Sequence, residues 1–143
     1  MAWIALLILG IVLFCVWVRR ANMNAEDLVP SGLEFTPGWA VGWFFVPFAN
    51  LYKPYQVVAE IYRASNPDSD PDYWKISEVP SFIPLWWVSY IAFNVVRNVN
   101  SRIPAGQGEG LTVAEFALGC FSAAMVVVVV RSIDRLQRKK AGA

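Results

Sequence analysis

The chain has 143 residues, 57% hydrophobic, 15% aromatic and 16% charged, with a formal net charge of +1 and a mean hydropathy of +0.44. Soluble domains average about 45–50% apolar and about 25% charged residues, so a soluble globule of this composition would expose large apolar patches. An ordinary soluble enzyme, a disordered chain and an electrostatic nucleic-acid binder are thereby excluded.

The sequence contains no histidine, which removes the commonest general acid/base and the commonest transition-metal ligand. Cys15 and Cys120 lie far apart, each inside an apolar run without a CxxC neighbour. Apolar surroundings keep a thiol protonated and inert, so both read as packing residues. No phosphate-binding loop, dinucleotide fingerprint or nucleophile elbow is present. No catalytic residue, cofactor site or metal site is expected.

Ala2 to Val18 is seventeen residues without a charge, stopped by Arg19 and Arg20. As a helix it reaches roughly 26 Å, the short end of a membrane span. Its basic pair follows the apolar run and no small-x-small site does, so it reads as an uncleaved anchor and not as a signal peptide. A polar connector, Ala21 to Pro37, leads to Gly38–Asn50, apolar and aromatic but thirteen residues long. That length suits a re-entrant or interfacial segment. Pro47 and Pro54 are expected to break a helix there. Leu51 to Ser65 has the mixed polarity of a helix lying on a membrane surface, with Tyr and Lys as anchors. Asn66 to Asp72 (NPDSDPD) is an acidic turn. Asp68, Asp70 and Asp72 imitate the opening of a calcium loop, but Tyr73 and Val79 occupy the places of its glycine and closing glutamate.

Phe82 to Val96 is the next expected span, opened by Pro84 and the Trp86–Trp87 pair and closed by Arg97, Asn98, Asn100 and Arg102. A turn, Pro104 to Gly110, precedes Leu111–Val130, twenty residues with Glu115 as the sole charge, about 30 Å if helical. The tail, Arg131 to Ala143, is polar and basic.

The twelve Lys and Arg residues choose between two topologies by the positive-inside rule. If Gly38–Asn50 crosses the membrane there are four spans, with eight basic residues inside and four outside. If it only dips in, there are three spans. Arg19, Arg20, Lys53, Arg63, Lys75 and the five basic residues of the tail are then inside, and Arg97 and Arg102 outside. Ten against two selects three spans with a cytoplasmic C-terminus. The expected fold is thus a single all-α membrane domain over residues 1–143, with spans at about 2–18, 82–96 and 111–130, a broken re-entrant or interfacial segment at 38–65, and a cytoplasmic tail at 131–143.

Thr36 to Ser65, TPGWAVGWFFVPFANLYKPYQVVAEIYRAS, resembles the hallmark stretch of a bacterial membrane-protein family known as domain of unknown function 4328. Pro84-Leu85-Trp86-Trp87 and the valine-rich run from Met125 to Arg135 resemble two further family features. The resemblance covers Val16 to Leu136. It implies a bacterial cytoplasmic (inner) membrane location and a cytoplasmic-facing end for the first span, WVRRANMNAEDL. Members often begin with another apolar helix, from which this chain departs. The family carries no established activity, so the resemblance implies a fold and not a function.

Two groups of residues are candidates for function. The broken segment offers Trp39, Trp43, Pro47, Asn50, Tyr52, Lys53, Pro54 and Gln56, since interrupted helices at membrane depth make substrate and ion sites in transporters. Against this, two prolines also serve simply to turn a loop into a surface helix. Asn94, Arg97 and Glu115 are intramembrane polar groups, with Glu115 and Arg97 expected to pair near the outer interface. Gly119 and Ala123 form one small-xxx-small step for close helix approach. The function expected is that of a non-enzymatic membrane protein, an accessory or regulatory subunit packing against lipids and protein partners. The alternative is an oligomeric transporter or channel component using residues 47–54.

Overall fold

The computed structural model describes residues 2–104 and 107–142, with all side chains except those of residues 2, 3 and 7. The described residues are helical and turn, with no strand among them. They fall into two compact units, residues 1–79 with 133–143 and residues 80–132.

In the first unit, α1 (Ala2–Asp27) continues well past the expected end at Val18. The reason is a change of partner. Val18, Ala21, Asn22 and Ala25 recur every three or four residues and are buried, so the helix exchanges an all-round apolar surface for one stripe facing protein. Pro30 and Gly32 (φ +67°) then turn the chain. A short α2 (Pro37–Gly42) begins on a proline, which lacks only an N–H that has no helical partner there. Turns from 43 to 48 and a 3₁₀ turn, Ala49–Leu51, lead into α3 (Lys53–Ser65). Pro54 therefore does not break a helix. It lies in the first turn of α3, where no hydrogen bond is lost. The expected re-entrant or interfacial segment is thus a short helix, a folded loop and an amphipathic helix. No span-length helix covers 38–50, which removes the four-span alternative.

α3 buries Val57, Val58, Ile61 and Ala64 and packs against α1. The end of the chain joins them. The tail expected at 131–143 is helical to Lys140, as part of α5 (Glu109–Lys140), and its buried Ile133 and Gln137 are one turn apart. Gln137 is 7% exposed. Its Nε2 donates to the Ala21 carbonyl (2.8 Å) and to Ser65 Oγ (3.0 Å), and its Oε1 accepts from Asn24 Nδ2 (3.2 Å). Ser65 in turn donates to the Ile61 carbonyl. One amide thereby ties α1, α3 and α5 together with both its protons used.

The second unit holds α4 (Phe82–Asn100) and the first part of α5. They run antiparallel: Phe93 faces Gly119, and Asn100 faces Thr112 and Glu115. A Cβ on Gly119 would stand 3.1 Å from the Phe93 ring, so the small residue serves a contact within the chain. The expected turn at 104–110 holds residues 105 and 106, which lie outside the described residues.

Among the described residues two helices, not three or four, are long and apolar enough to cross a membrane: Ile4–Asp27 and Glu109–Lys140. α4 is not among them, because Asn94, Arg97, Asn98 and Asn100 crowd its last two turns.

Replacing Gln137 with leucine keeps the volume and strips the Ala21, Asn24 and Ser65 groups of their partner. A cost of roughly 1–3 kcal/mol is expected for the buried polar atoms left behind. Thermal melting in uncharged detergent measures it, and an unchanged melting temperature would refute the role given to this amide.

Candidate functional site

The connector after α1 is held by a carboxylate. α3 places Glu60 on its buried side, between Val57 and Ala64, and leaves it 8% exposed. Glu60 accepts from the backbone N–H of Glu34 (2.5 Å) and of Phe35 (3.2 Å). Phe35 is fixed from the other direction, its carbonyl accepting from Asn22 Nδ2 of α1 (3.0 Å). Burial pushes the Glu60 carboxyl above its ordinary 4.5, with the Glu34 charge adding to the rise; the two N–H donors and Lys75 work against it.

Around this carboxylate lies an open cleft of about 390 Å³, with Lys53, Gln56, Arg63 and Lys75 on its walls beside Glu34 and Glu60. The cations are held by groups other than carboxylates. Lys53 Nζ stands 4.9 Å from the centre of the Phe35 ring, with Trp43 at 5.6 Å and Tyr52 at 5.8 Å. Lys75 Nζ lies 5.4 Å over Trp74. Arg63 Nε donates to the Ser77 carbonyl (2.8 Å). Trp74 is itself buried, its indole N–H donating to Ser31. Next to Lys53, the buried Trp43 indole nitrogen has no hydrogen-bond acceptor among the described residues.

Of the candidate residues in the broken segment, Lys53 and Gln56 line this cleft, and Trp43 and Tyr52 support Lys53 from behind. The Trp39 ring lies 4.9 Å from that of Trp43, tilted by 34°. Pro54 is fully buried. Pro47 and Asn50 belong to the loop, where Asn50 N–H donates to the Val46 carbonyl. The loop tip is Phe48, with φ +64° and 84% exposure; a bulky side chain there stores roughly 1–3 kcal/mol of backbone strain. Phe44 packs edge-on against Phe14 of α1 at 5.6 Å. Glu34, Phe35, Glu60, Arg63, Trp74 and Lys75 were not expected from the sequence. The signal available was Glu60, a charge three residues from Val57 and four from Ala64, on the stripe of α3 that the core requires.

The polar residues of the second unit arrange differently from expectation. Glu115 Oε2 accepts from Asn100 Nδ2 at 2.9 Å, and Arg97 lies over the Phe93 ring at 6.0 Å. Glu115 therefore pairs with Asn100 and not with Arg97, because Asn100 stands at the end of α4 where the antiparallel register meets the first turns of α5. Asn94 is exposed and donates to the Tyr90 carbonyl of its own helix. The acidic loop caps itself, with Asn66 and Asp70 accepting from the N–H groups of Asp68 and Asp72. No group of three acidic or sulfur ligands suited to a metal ion occurs among the described residues.

Because the Glu60 carboxyl is raised, the folded chain keeps its proton where the unfolded chain has released it. Its contribution is therefore greatest below the ordinary carboxylate value and is lost as pH rises through the folded value. Glu60→Gln removes this slope and adds a loss at every pH, since an amide cannot accept from both N–H groups. Melting the two proteins across acidic to neutral pH tests it; a gap between them that does not change with pH would refute it.

No curated protein and no solved structure matches the chain. A family model described as "Domain of unknown function (DUF4328)" matches residues 1–138, extending the resemblance through the whole of α1. The chain belongs to the DUF4328 family.

Proposed function

We propose that this chain is a non-enzymatic integral protein of a bacterial cytoplasmic membrane, serving as an accessory or regulatory subunit beside partner proteins. The observation that carries the reading is the uncovered apolar surface of the two long helices. Their most apolar windows are only 12% and 11% buried, and Leu6 and Phe116 are 68% and 75% exposed. Water does not tolerate such surface in quantity, whereas lipid and apolar partner helices do.

Connectivity supports three passes even though α4 is polar at one end. The last turns of α1 and α5 meet in parallel, with Trp17 bonded to Asp134 and Ala21 to Gln137. If both helices lie in the bilayer, both begin on the far side. The chain leaves α1 on the near side and must return to the far side before Glu109. Among the described residues between 80 and 108 the only α-helix is α4, nineteen residues long, about 28 Å. Its Arg97 and its asparagines would then lie near the far surface, where long side chains reach water. This arrangement keeps the ten-to-two division of basic residues. Phe44 against Phe14 would place the 43–52 loop about 7 Å from the level of Arg19, at interfacial depth.

The transporter alternative has less support. The loop's N–H groups at Asn50, Leu51 and Tyr52 are spent on Val46, Phe48 and Ala49 carbonyls, so these donors are not aimed at a solute.

Single cysteines at Glu26 and Ser101, in a background with Cys15 and Cys120 replaced by serine, test the topology. An impermeant maleimide should label position 101 in intact cells and position 26 only after lysis; the reverse pattern would overturn the three-pass arrangement. The native mass after gentle extraction tests the role. Stoichiometric co-purifying subunits are expected, and a lone homo-oligomer would sink the accessory reading.

A further inference from the structure

The cleft beside α3 has a charge arrangement that packing does not explain. Lys53, Arg63 and Lys75 converge on it, and no carboxylate lies within 4.0 Å of any of them among the described residues; the ion pair resolved there is Lys139–Asp68, at the surface. Two of the cations rest on aromatic rings and the third on a carbonyl, which fixes their positions without a direct ion pair. Of the two carboxylates in the cleft, Glu60 has both oxygens occupied by backbone N–H groups. Gln56 adds an amide to the lining. Three cations and an amide thus face two carboxylates in a site with room for a tetrahedral anion.

The neighbouring surface narrows the choice further. The loop that leads into Lys53 exposes Phe45, Phe48, Leu51 and Tyr52, with Tyr52 5.8 Å from Lys53 Nζ, an apolar surface of the kind that lies against acyl chains. A headgroup phosphate needs cations and amide donors close to such a surface.

We propose that the cleft is a binding site for a phosphate-bearing anion, held by Lys53, Lys75, Arg63 and Gln56, with an anionic phospholipid headgroup as its source. The preference for phospholipid rests on the membrane reading above; the phosphate chemistry does not.

The experiment uses the full chain in two arms. In the first, protein is reconstituted in nanodiscs of phosphatidylcholine with a minority of phosphatidylglycerol, and the lipids retained after release into uncharged detergent are identified by native mass spectrometry. Phosphatidylglycerol should be retained preferentially. Retention should fall about five-fold for Lys53→Gln or Lys75→Gln and roughly thirty-fold for both. Lys139→Gln removes the same charge from the surface and should leave retention unchanged, and the double Lys→Arg variant should restore it. In the second arm, inorganic phosphate and glycerol 3-phosphate are titrated against the melting temperature of the detergent-solubilised protein. A phosphate-dependent rise without lipid preference supports the site and assigns it a soluble phosphate. No response in either arm, or equal weakening by Lys139→Gln, overturns the proposal. Recovery of the expressed chain from the soluble fraction would overturn the membrane reading alone, leaving the second arm to decide the cleft.

Discussion

The first unit depends on one amide. α1 and α5 arrive as apolar helices whose side faces have little preference for each other over lipid or any other apolar surface. Direction and register have to come from polar groups, and Gln137 supplies them. Its two protons go to a carbonyl of α1 and the hydroxyl of a serine on α3, and its oxygen accepts from a second residue of α1. A buried amide satisfied on both ends tolerates few alternatives, since sliding either helix by one turn leaves several groups unpaired at once. Lys140 adds to the same junction by donating to the Ala64 carbonyl at the end of α3 (2.7 Å), a group that the helix itself cannot satisfy. Partial burial lowers the Lys140 pKa from its ordinary value, but the contact keeps the ammonium on a helix C-terminus, where positive charge is favoured. The exposed Lys139–Asp68 pair nearby contributes little by comparison.

With that junction in place, Glu60 governs the connector. The chain between α1 and α2 has neither a helix nor a strand to occupy its N–H groups, and near Phe35 it is buried. A carboxylate accepting two of them, together with Asn22 taking the Phe35 carbonyl, does for this loop what a sheet edge does elsewhere. The burden falls on desolvation, which is why the carboxyl is displaced upward and not downward even though it accepts two hydrogen bonds. Phe35, so positioned, becomes the platform for Lys53. The cleft is thus a consequence of how the connector is fastened.

The apolar runs were legible because hydropathy needs no partner to be read. Ala2–Val18 and Leu111–Val130 both appear as helices, and the expected interruption ahead of α3 appears as the turns from 43 to 48 and the 3₁₀ turn that follows. What escaped was whatever depends on a partner. Both long helices extend into polar sequence because Ala21, Ala25, Ile133 and Gln137 keep a helical period that is weak on its own and matters only when the helices meet. The family's hallmark stretch pointed to residues 36–65, yet four of the ten residues lining the cleft come from outside it, Glu34, Phe35, Trp74 and Lys75. Pro54 looked like a breaker and is a helix start, a distinction set by one residue of register. Glu115 found Asn100 and not Arg97, because the hairpin register brings the end of α4 to the start of α5 while Arg97 turns back along its own helix to Phe93.

A common thread joins these sites: cations are kept in place without being neutralised. A surface ion pair contributes between zero and about 1 kcal/mol, and a lysine over an aromatic face contributes about as much, so for stability the two are nearly interchangeable. For the field around the molecule they differ. An ion pair cancels the charge, whereas an aromatic ring or a carbonyl holds the cation and leaves its monopole intact. Lys53, Lys75 and Arg63 use the second device, and Arg97 of α4 rests on Phe93 in the same way. Net charge of +1 over the whole chain therefore understates the local field. Glu34 and Glu60 share the cleft's walls with these three cations, and further negative charge lies in the self-capped loop from Asp68 to Asp72. Cations held in this way are what the anion site proposed above requires.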